Sequence, residues 1–173
     1  FLYNTLDSII WMAEGRKYEE VVLMTASLAR LLRQSISNED EVVPLAREVE
    51  YAKGYLTIQK MRYKDKLEFE IDVEPSILNI PLIKLVLQPI IENAIYHGLK
   101  YKESKGLLQV KGFMKDGNAV LQVIDNGVGM DEETLSHIYD KHKVNYHSNG
   151  VGVYNVQKRL KLYYGENYGI AYE

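Results

Sequence analysis

The sequence predicts an α+β protein in which a helical hairpin precedes a two-layer α/β sandwich. Apolar residues recur every three or four positions at the start of the chain, as in Leu2, Leu6, Ile9 and Ala13, which is typical of a helix. Apolar and charged residues alternate over residues 67–73, which is the pattern of a strand with one solvated face. Strand-like and helical segments then interleave, which favours a mixed sheet with helices on one face.

The two N-terminal helices are predicted to pack as an antiparallel hairpin. Residues 14–17 interrupt the first apolar stripe, with Gly15 at a position where a helix end tolerates positive φ. So short a break forces the helices to run antiparallel. Neither helix covers the other's full apolar stripe, so we expect two hairpins to pair into a four-helix bundle and form a homodimer. The stripe of the second helix consists of Val21, Met24, Leu28 and Leu31.

A polar stretch at residues 35–41 is the best candidate for a domain boundary. We therefore predict a hairpin domain over residues 1–37 and a second domain over residues 42–173. Pro44 suits the first turn of a third helix, where its missing N–H is not needed. The stripe of that helix consists of Leu45, Val49, Ala52 and Leu56.

The second domain is expected to contain a long apolar helix at residues 82–96, bent or locally opened at Pro89. A β-hairpin is predicted at residues 107–124, with a three-residue turn at 116–118. The remaining predicted elements are a short acidic helix at 131–139, a polar loop at 140–149, a helix at 150–164 and the start of a strand at 168–173.

Composition excludes several classes of function. The chain of 173 residues contains no cysteine, which excludes disulfides, thiolate catalysis and zinc-finger chemistry. Lys and Arg number 21 and Asp and Glu number 24, so the net charge is 21 − 24 = −3 and offers no bulk field for nucleic acid. No uncharged apolar run approaches the ~18 residues of a membrane span, so we expect no direct membrane contact by these residues.

Three short motifs in the second domain indicate a nucleotide site when they are taken together. Each is weak alone, because an Asp-Asn-Gly sequence after a strand is most often a turn and a glycine pair can simply begin a helix. The strong indication of a nucleotide site is that all three occur in this order and that each lies on the helix or strand end where such a motif is expected. They are Glu92-Asn93 on the apolar helix, Asp125-x-Gly127-x-Gly129 directly after a strand, and Gly150-x-Gly152 at the start of a helix.

These motifs resemble the N-box (residues 88–98), G1-box (125–130) and G2-box (150–152) of the GHKL ATPase superfamily, which includes gyrase B, Hsp90, MutL and the histidine kinases. The start at residues 1–4 and the stretch at 55–63 are similar to one class, the LytS/YesM-like sensor histidine kinases of bacterial two-component systems. The resemblance covers essentially the whole chain. It implies the Bergerat fold for the second domain and a histidine-phosphotransfer role for the hairpin.

The resemblance implies ATP as a ligand and Mg²⁺ as its cofactor. Asp125 would accept a hydrogen bond from the adenine amino group, since a buried adenine edge needs an acceptor. Asn93 would hold Mg²⁺ through its side-chain oxygen. Gly127 and Gly129 would let the backbone approach the ring without the hindrance of a Cβ.

Several residues would contact the phosphates by the same resemblance. Gly150 and Gly152 would place backbone N–H groups and a helix N-terminus against them. His97 follows Asn93 by four residues, which puts both on one face of an α-helix and favours a position near the phosphates, although a helix-terminal His is the plainer alternative. The lid would be residues 131–149, whose candidate phosphate contacts are Lys141, His142, Lys143 and His147, although a solvated loop is the plainer alternative for each of them.

The phosphorylated residue of this class is a histidine that would immediately precede Phe1, and none of the four histidines in the sequence lies on the hairpin. Asn4, one helical turn beyond that position, could orient the imidazole. Glu92 could accept the proton that is lost as the N–P bond forms. The phosphoryl group would then pass to an aspartate of a cytoplasmic response regulator. The chain would thus be the cytoplasmic kinase core of a membrane-anchored sensor.

Three rival interpretations remain open. A GHKL nucleotide-binding switch that hydrolyses ATP would need a larger lid, and an anti-sigma-like protein serine kinase module would lack the hairpin. A non-enzymatic dimerisation module would leave the three motifs unexplained.

Arg159 matches an Arg-Leu pair of the class, but a purely structural contact is equally plausible. The class continues past Glu173 with a closing strand, so an unpaired sheet edge is expected.

Overall fold

The computed structural model describes residues 1–36, 41–99, 102, 104–131, 135 and 150–172, and it confirms the α+β class. The helices are α1 (Leu2–Glu14), α2 (Tyr18–Ile36), α3 (Leu45–Tyr63), α4 (Leu87–Asn93) and α5 (Gly150–Tyr164). The strands are β1 (Val42–Pro44), β2 (Leu67–Val73), β3 (Pro81–Ile83), β4 (Gly106–Lys115) and β5 (Asn118–Asp125). The acidic helix and polar loop predicted between α4 and α5 fall almost entirely outside the described residues.

The main sheet is mixed and has the strand order β2-β4-β5. Strands β2 and β4 are parallel, with Leu67 opposite Gly106, whereas β4 and β5 are antiparallel. The β4–β5 turn has two residues rather than the three that were predicted. Asp116 and Gly117 have φ angles of 50° and 81°, which is the pattern of a type I′ turn matched to the twist of the strands.

The hairpin forms as predicted, but its turn and its buried face differ in detail. Gly15 has a φ of −74°, and Arg16 instead adopts the left-handed conformation with a φ of 56°. On α1 the buried residues are Thr5 and Met12, whereas the predicted stripe residue Leu6 is 42% exposed. The stripe of α2 is correct, because its Met24, Leu28 and Leu31 are buried and Val21 is half-buried.

Helix α3 lies at the centre of the larger of the two hydrophobic cores that the described residues form. Leu28 and Leu31 of α2 share this core with Leu56 of α3 and Leu108 of β4, so the hairpin and the sandwich are packed together. The smaller core joins β3 to α5 through residues such as Ile83 and Val156. The four predicted stripe residues of α3 are buried or half-buried.

After α5, residues 165–172 form no strand, so the strand predicted from residue 168 is absent from the described part of the chain.

The segment before α4 is a strand rather than the beginning of a helix. Residues 81–83 pair antiparallel with residues 42–44, and α4 begins only at Leu87. Pro89 therefore lies in the first turn, where its missing N–H leaves no bond unmade, and the predicted bend is wrong. Pro44 likewise ends β1 and immediately precedes α3, instead of lying in its first turn.

A buried carboxylate determines where α4 begins. Glu48 on α3 is only 2% exposed and accepts hydrogen bonds from the backbone N–H groups of Leu85, Val86 and Leu87, at 2.7, 2.8 and 3.1 Å. The first N–H groups of a helix have no partner within the helix, and negative charge is favoured there. The cap therefore anchors the helix that carries the N-box to α3.

We predict that Glu48→Gln lowers the free energy of unfolding by about 2 kcal/mol, because a neutral amide offers one acceptor oxygen and no charge to these donors. Urea denaturation measures the change. Glu50→Gln is the matched control, since the Glu50 side chain is 39% exposed and joins surface ion pairs with Arg30 and Arg47; its loss should cost less than about 1 kcal/mol. Equal losses for the two variants would contradict the capping role.

Candidate functional site

The N-box begins in an α-helix and ends in a π-helical segment. Regular α4 ends at Asn93, and residues 94–99 form a π-helical segment, although the sequence predicted one continuous helix. Such segments are rare and are often found at functional sites. The α-helical spacing that predicted a shared face for Asn93 and His97 therefore does not apply. Asn93 is half-buried and His97 is exposed.

The G1-box crosses the end of the N-box at very close range. The N–H of Val128 donates to the carbonyl of Gly98 at 3.1 Å. A Cβ on Gly127 would lie 2.4 Å from the carbonyl carbon of Gly98, and a Cβ on Gly98 would lie 2.6 Å from Oδ1 of Asp125. Backbone therefore excludes a side chain at position 127, whereas a side chain at position 98 would displace the Asp125 carboxylate; in both cases the reason is lack of space rather than backbone conformation.

The carboxylate of Asp125 is held at this crossing. It is the last residue of β5, and its Oδ1 accepts the N–H of Gly127 at 2.8 Å. The residue is exposed, so the carboxylate can still accept a further hydrogen bond from a ligand. The structure thus brings the predicted acceptor against the last turn of the N-box.

Asn126 fastens the G1-box to the sheet, a role that the sequence motifs did not indicate. Its side-chain Oδ1 accepts the N–H of Leu107 at 2.8 Å, and its own N–H donates to the carbonyl of Leu107 at 3.2 Å. Lys102 also donates to the Asn126 carbonyl. The tendency of Asn to bond nearby backbone in turns is the signal that could have identified it.

The G2-box contacts the other end of the N-box. It opens α5, and a Cβ on Gly152 would lie 3.3 Å from the Cβ of Pro89. Ile90 of α4 packs against the core that contains Val156 of α5. Arg159 donates to the carbonyl of Lys84 at 2.8 Å, and this bond to the segment before α4 favours the structural role of Arg159. Both glycine-rich boxes therefore touch the N-box.

Of the other predicted site residues, Glu92 and Gly129 lie in the N-box and the G1-box, and Asn4 lies on the hairpin. Glu92 is half-buried and accepts a hydrogen bond from Gln88 at 3.1 Å. Gly129 has a φ of 73°, and a Cβ there would meet nothing within 4 Å. Asn4 is exposed on α1, where its carbonyl accepts the hydroxyl of Ser8. The predicted lid contacts, Lys141, His142, Lys143 and His147, lie outside the described residues.

Comparison with family models decides the classification. Residues 79–170 match the model described as "Histidine kinase-, DNA gyrase B-, and HSP90-like ATPase", and residues 1–67 match the model described as "Histidine kinase". The chain belongs to this ATPase family. The first match contains all three boxes, and the second contains the hairpin and α3.

Curated relatives narrow the class to sensor histidine kinases. The chain is 33% identical to sensor histidine kinase YesM of Bacillus subtilis over 170 residues, which are 98% of this chain and 28% of that protein. It is 31% identical to sensor protein LytS of Oceanobacillus iheyensis, over 96% of this chain and 29% of that protein. Sensor histidine kinase BtsS of Escherichia coli K12 is 28% identical over 99% of this chain and 28% of its own length. The chain thus spans less than a third of these relatives.

Solved structures agree on the fold of this histidine kinase core. The Acinetobacter baumannii histidine kinase AdeS superposes with a TM-score of 0.50 at 19% identity, over 92% of this chain and 83% of that chain. The histidine kinase domain of the blue-light activated kinase from Erythrobacter litoralis EL346 also gives 0.50, at 14% identity, over 81% of this chain and 63% of that chain. Within the described residues, no helix is both long and apolar enough to cross a membrane.

The metal chemistry of the ATPase family is compatible with these residues. In the described part of the chain, no group of three or more His, Asp or Glu side chains could hold a metal by itself. Mg²⁺ in phosphate-binding enzymes needs only one or two protein oxygens, because phosphates and waters complete its shell. The Asn93 amide could serve as such a ligand, since this half-buried side chain makes no hydrogen bond with the described residues.

We predict that Gly127→Ala destabilises the protein more than Gly129→Ala. At position 127 the new methyl group would strike the backbone of Gly98, and relieving that overlap should cost about 3 kcal/mol. At position 129 only the left-handed backbone is strained, which costs about 1 kcal/mol. Thermal or urea unfolding measures both. A larger loss at position 129 would show that the two boxes do not cross as described.

Proposed function

We propose that this chain is the ATP-dependent kinase core of a two-component sensor histidine kinase. Residues 1–37 would be the dimerisation and phosphotransfer hairpin, and residues 42–173 the catalytic domain. The observation that carries the proposal is the contact of both glycine-rich boxes with the N-box, at Gly98 and at Pro89. An anti-sigma-like serine kinase is less compatible, because the hairpin and α3 lie within the "Histidine kinase" match.

Asp125 is proposed to recognise the adenine. Its carboxylate is exposed and is oriented by the N–H of Gly127, so it can accept a hydrogen bond from the amino group of the base. Gly98 and Gly127 leave no side chain between this carboxylate and the N-box. Gly129, whose surroundings are open, gives the backbone beside the base its left-handed turn.

The phosphates are proposed to lie between the N-box and the start of α5. Asn93 would hold Mg²⁺ through its side-chain oxygen, and the ion would neutralise charge on the phosphate oxygens. Gly150 and Gly152 would offer backbone N–H groups at the N-terminus of the 15-residue helix α5. His97 and the lid residue Lys141 would add donors to the phosphates.

The proposed reaction is in-line transfer of the γ-phosphoryl group to a histidine nitrogen immediately before Phe1. An N–P bond forms, the P–O bond to ADP breaks, and the nitrogen loses its proton. Asn4 would orient the imidazole from one turn along α1. Glu92, whose carboxylate is fixed by Gln88, would accept the proton.

The hairpin is proposed to pair with a second copy and to dock the response regulator whose aspartate receives the phosphoryl group. Both helices expose large apolar side chains that a single chain leaves uncovered. These are Leu2, Tyr3, Leu6, Ile10 and Trp11 of α1, and Tyr18, Val22, Leu23 and Leu32 of α2. Apolar faces of this extent on paired helices are typical of a bundle interface.

We predict that Asp125→Asn and Gly98→Ala each weaken ATP binding by about tenfold to a hundredfold. The first substitution removes the charge of the acceptor, and the second displaces the Asp125 carboxylate. Asn93→Ala should abolish the Mg²⁺-dependent part of the affinity. Titration calorimetry measures all three. Asp116→Asn is the matched control, since this carboxylate lies in the exposed turn at the other end of β5. Unchanged affinity in Asp125→Asn would contradict the site.

We predict that the chain carrying a histidine immediately before Phe1 acquires acid-labile, base-stable phosphate from labelled ATP. Glu92→Gln should slow this reaction by about a hundredfold without changing ATP affinity, because general bases contribute on that scale. Glu70→Gln, which alters an exposed carboxylate bonded to Gln109, is the control. Equal labelling of the chain without the added histidine would show that the acceptor has been misplaced.

A further inference from the structure

The stretch at residues 55–63 carries much of the resemblance to sensor kinases, yet the proposed function gives it no role. In the structure three of its residues form a line of hydrogen bonds along α3. The side-chain amide of Gln59 donates to the hydroxyl of Tyr55 at 2.6 Å, and Arg62 donates to the amide oxygen of Gln59 at 3.1 Å. We call these three residues the α3 polar row. Tyr55 and Gln59 are fully buried.

One side of the α3 polar row meets α1. The ring of Phe1 lies 5.1 Å from the ring of Tyr55, centroid to centroid. Near the other end of α1, the ammonium of Lys64 lies 4.3 Å from the centre of the Trp11 ring. Helix α1 therefore runs alongside α3 in the same direction. Arg62 also lines a cavity of about 320 Å³ between these helices, together with the α1 residues Asp7, Ser8, Trp11 and Met12.

The other side of the row meets the N-box. Tyr55 belongs to the same core cluster as Ile91 and Ile95, which flank the N-box pair Glu92 and Asn93. Burial raises the pKa of the Tyr55 hydroxyl above its usual range, and the negative charge of Glu92 adds to the shift. Tyr55 thus lies between the ring of Phe1 and the helix that carries Glu92.

Hydrogen bonding makes this contact more specific than apolar packing would. Apolar side chains of similar volume could fill the same space with little loss of stability. A buried amide that donates to one neighbour and accepts from another has a single good orientation, and it holds its partners in one rotamer each. The row can therefore fix the direction of the Tyr55 ring, on which Phe1 rests.

We propose that Tyr55 and Gln59 are positioning residues that seat the start of α1 against the N-box helix. The inference rests on the proposed function in one respect: the phosphate acceptor is the residue before Phe1. Seating that residue near Glu92 and the phosphates places the reacting atoms, and a misplacement of about 1 Å can cost about a hundredfold in rate. ATP binding itself does not depend on the row.

The decisive variant is the double substitution Tyr55→Phe with Gln59→Leu. It replaces both partners of the buried hydrogen bond by apolar groups of similar shape, which is nearly neutral for folding, whereas either single change leaves a buried polar group unpaired. The half-buried Arg62 loses its Gln59 acceptor but borders the cavity, where water can replace that bond. Tyr164→Phe is the matched control. The Tyr164 hydroxyl is also bonded, to the N–H of Ile83 and the carbonyl of Pro81, but it belongs to the other core.

Three measurements are made on the chain that carries a histidine before Phe1. Acrylamide quenching of Trp11, the only tryptophan in the sequence, reports how closely α1 lies on α3. Calorimetry gives the ATP affinity, and labelling at saturating ATP gives the phosphorylation rate. In the double variant we expect stronger quenching, a rate lower by about tenfold to a hundredfold, and an ATP affinity within about twofold of the parent. The control should match the parent.

Two results would overturn the positioning role. One is unchanged quenching and rate in the double variant; the other is a loss of ATP affinity as large as the loss of rate, which would make the row part of the nucleotide site. Phe1→Ala, which removes the ring contact but leaves the hydrogen bonds, should reproduce the stronger quenching and the slower rate. If the parent itself neither binds ATP nor becomes labelled, the proposed function fails, and quenching alone decides whether the row seats α1.

Discussion

The crossing of two backbone segments at Gly98 and Gly127 is the constraint on which the rest of the site depends. A Cβ at position 127 would overlap the backbone of Gly98, a Cβ at position 98 would displace the Asp125 carboxylate, and a hydrogen bond from Val128 to the Gly98 carbonyl joins the segments. Asn126 fastens the same loop to β4. The end of β5 therefore lies against the end of the N-box, and the carboxylate of Asp125 is held where a nucleotide base can reach it.

Helix α3 connects this site to the hairpin. One of its side chains, Glu48, caps the helix that carries the N-box, and others pack with α2 in the main core. Its polar row contacts α1 through the ring of Tyr55. A change in how the hairpin lies on α3 would therefore act on the N-box through tightly packed, hydrogen-bonded groups rather than through a flexible linker.

Sequence patterns predicted the helices and strands that have one packed face and one solvated face. Strand β2 alternates because one face is solvated, and the stripe of α2 is regular because it packs on α3. Strands β1 and β3 were missed, since each has three residues and their pairing spans about 40 positions of sequence, while a short apolar run does not distinguish strand from helix. The motifs located Asp125 and the N-box, but Glu48 could not be identified, because a helical glutamate is usually solvated.

The proposed nucleotide site can be tested by a crystal structure of the chain with Mg²⁺ and a non-hydrolysable ATP analogue. It predicts that the adenine amino group lies about 3 Å from the carboxylate of Asp125. It also predicts that the side-chain oxygen of Asn93 lies about 2.1 Å from the metal, with the phosphates facing the start of α5. A nucleotide bound elsewhere, or a metal held without Asn93, would contradict it.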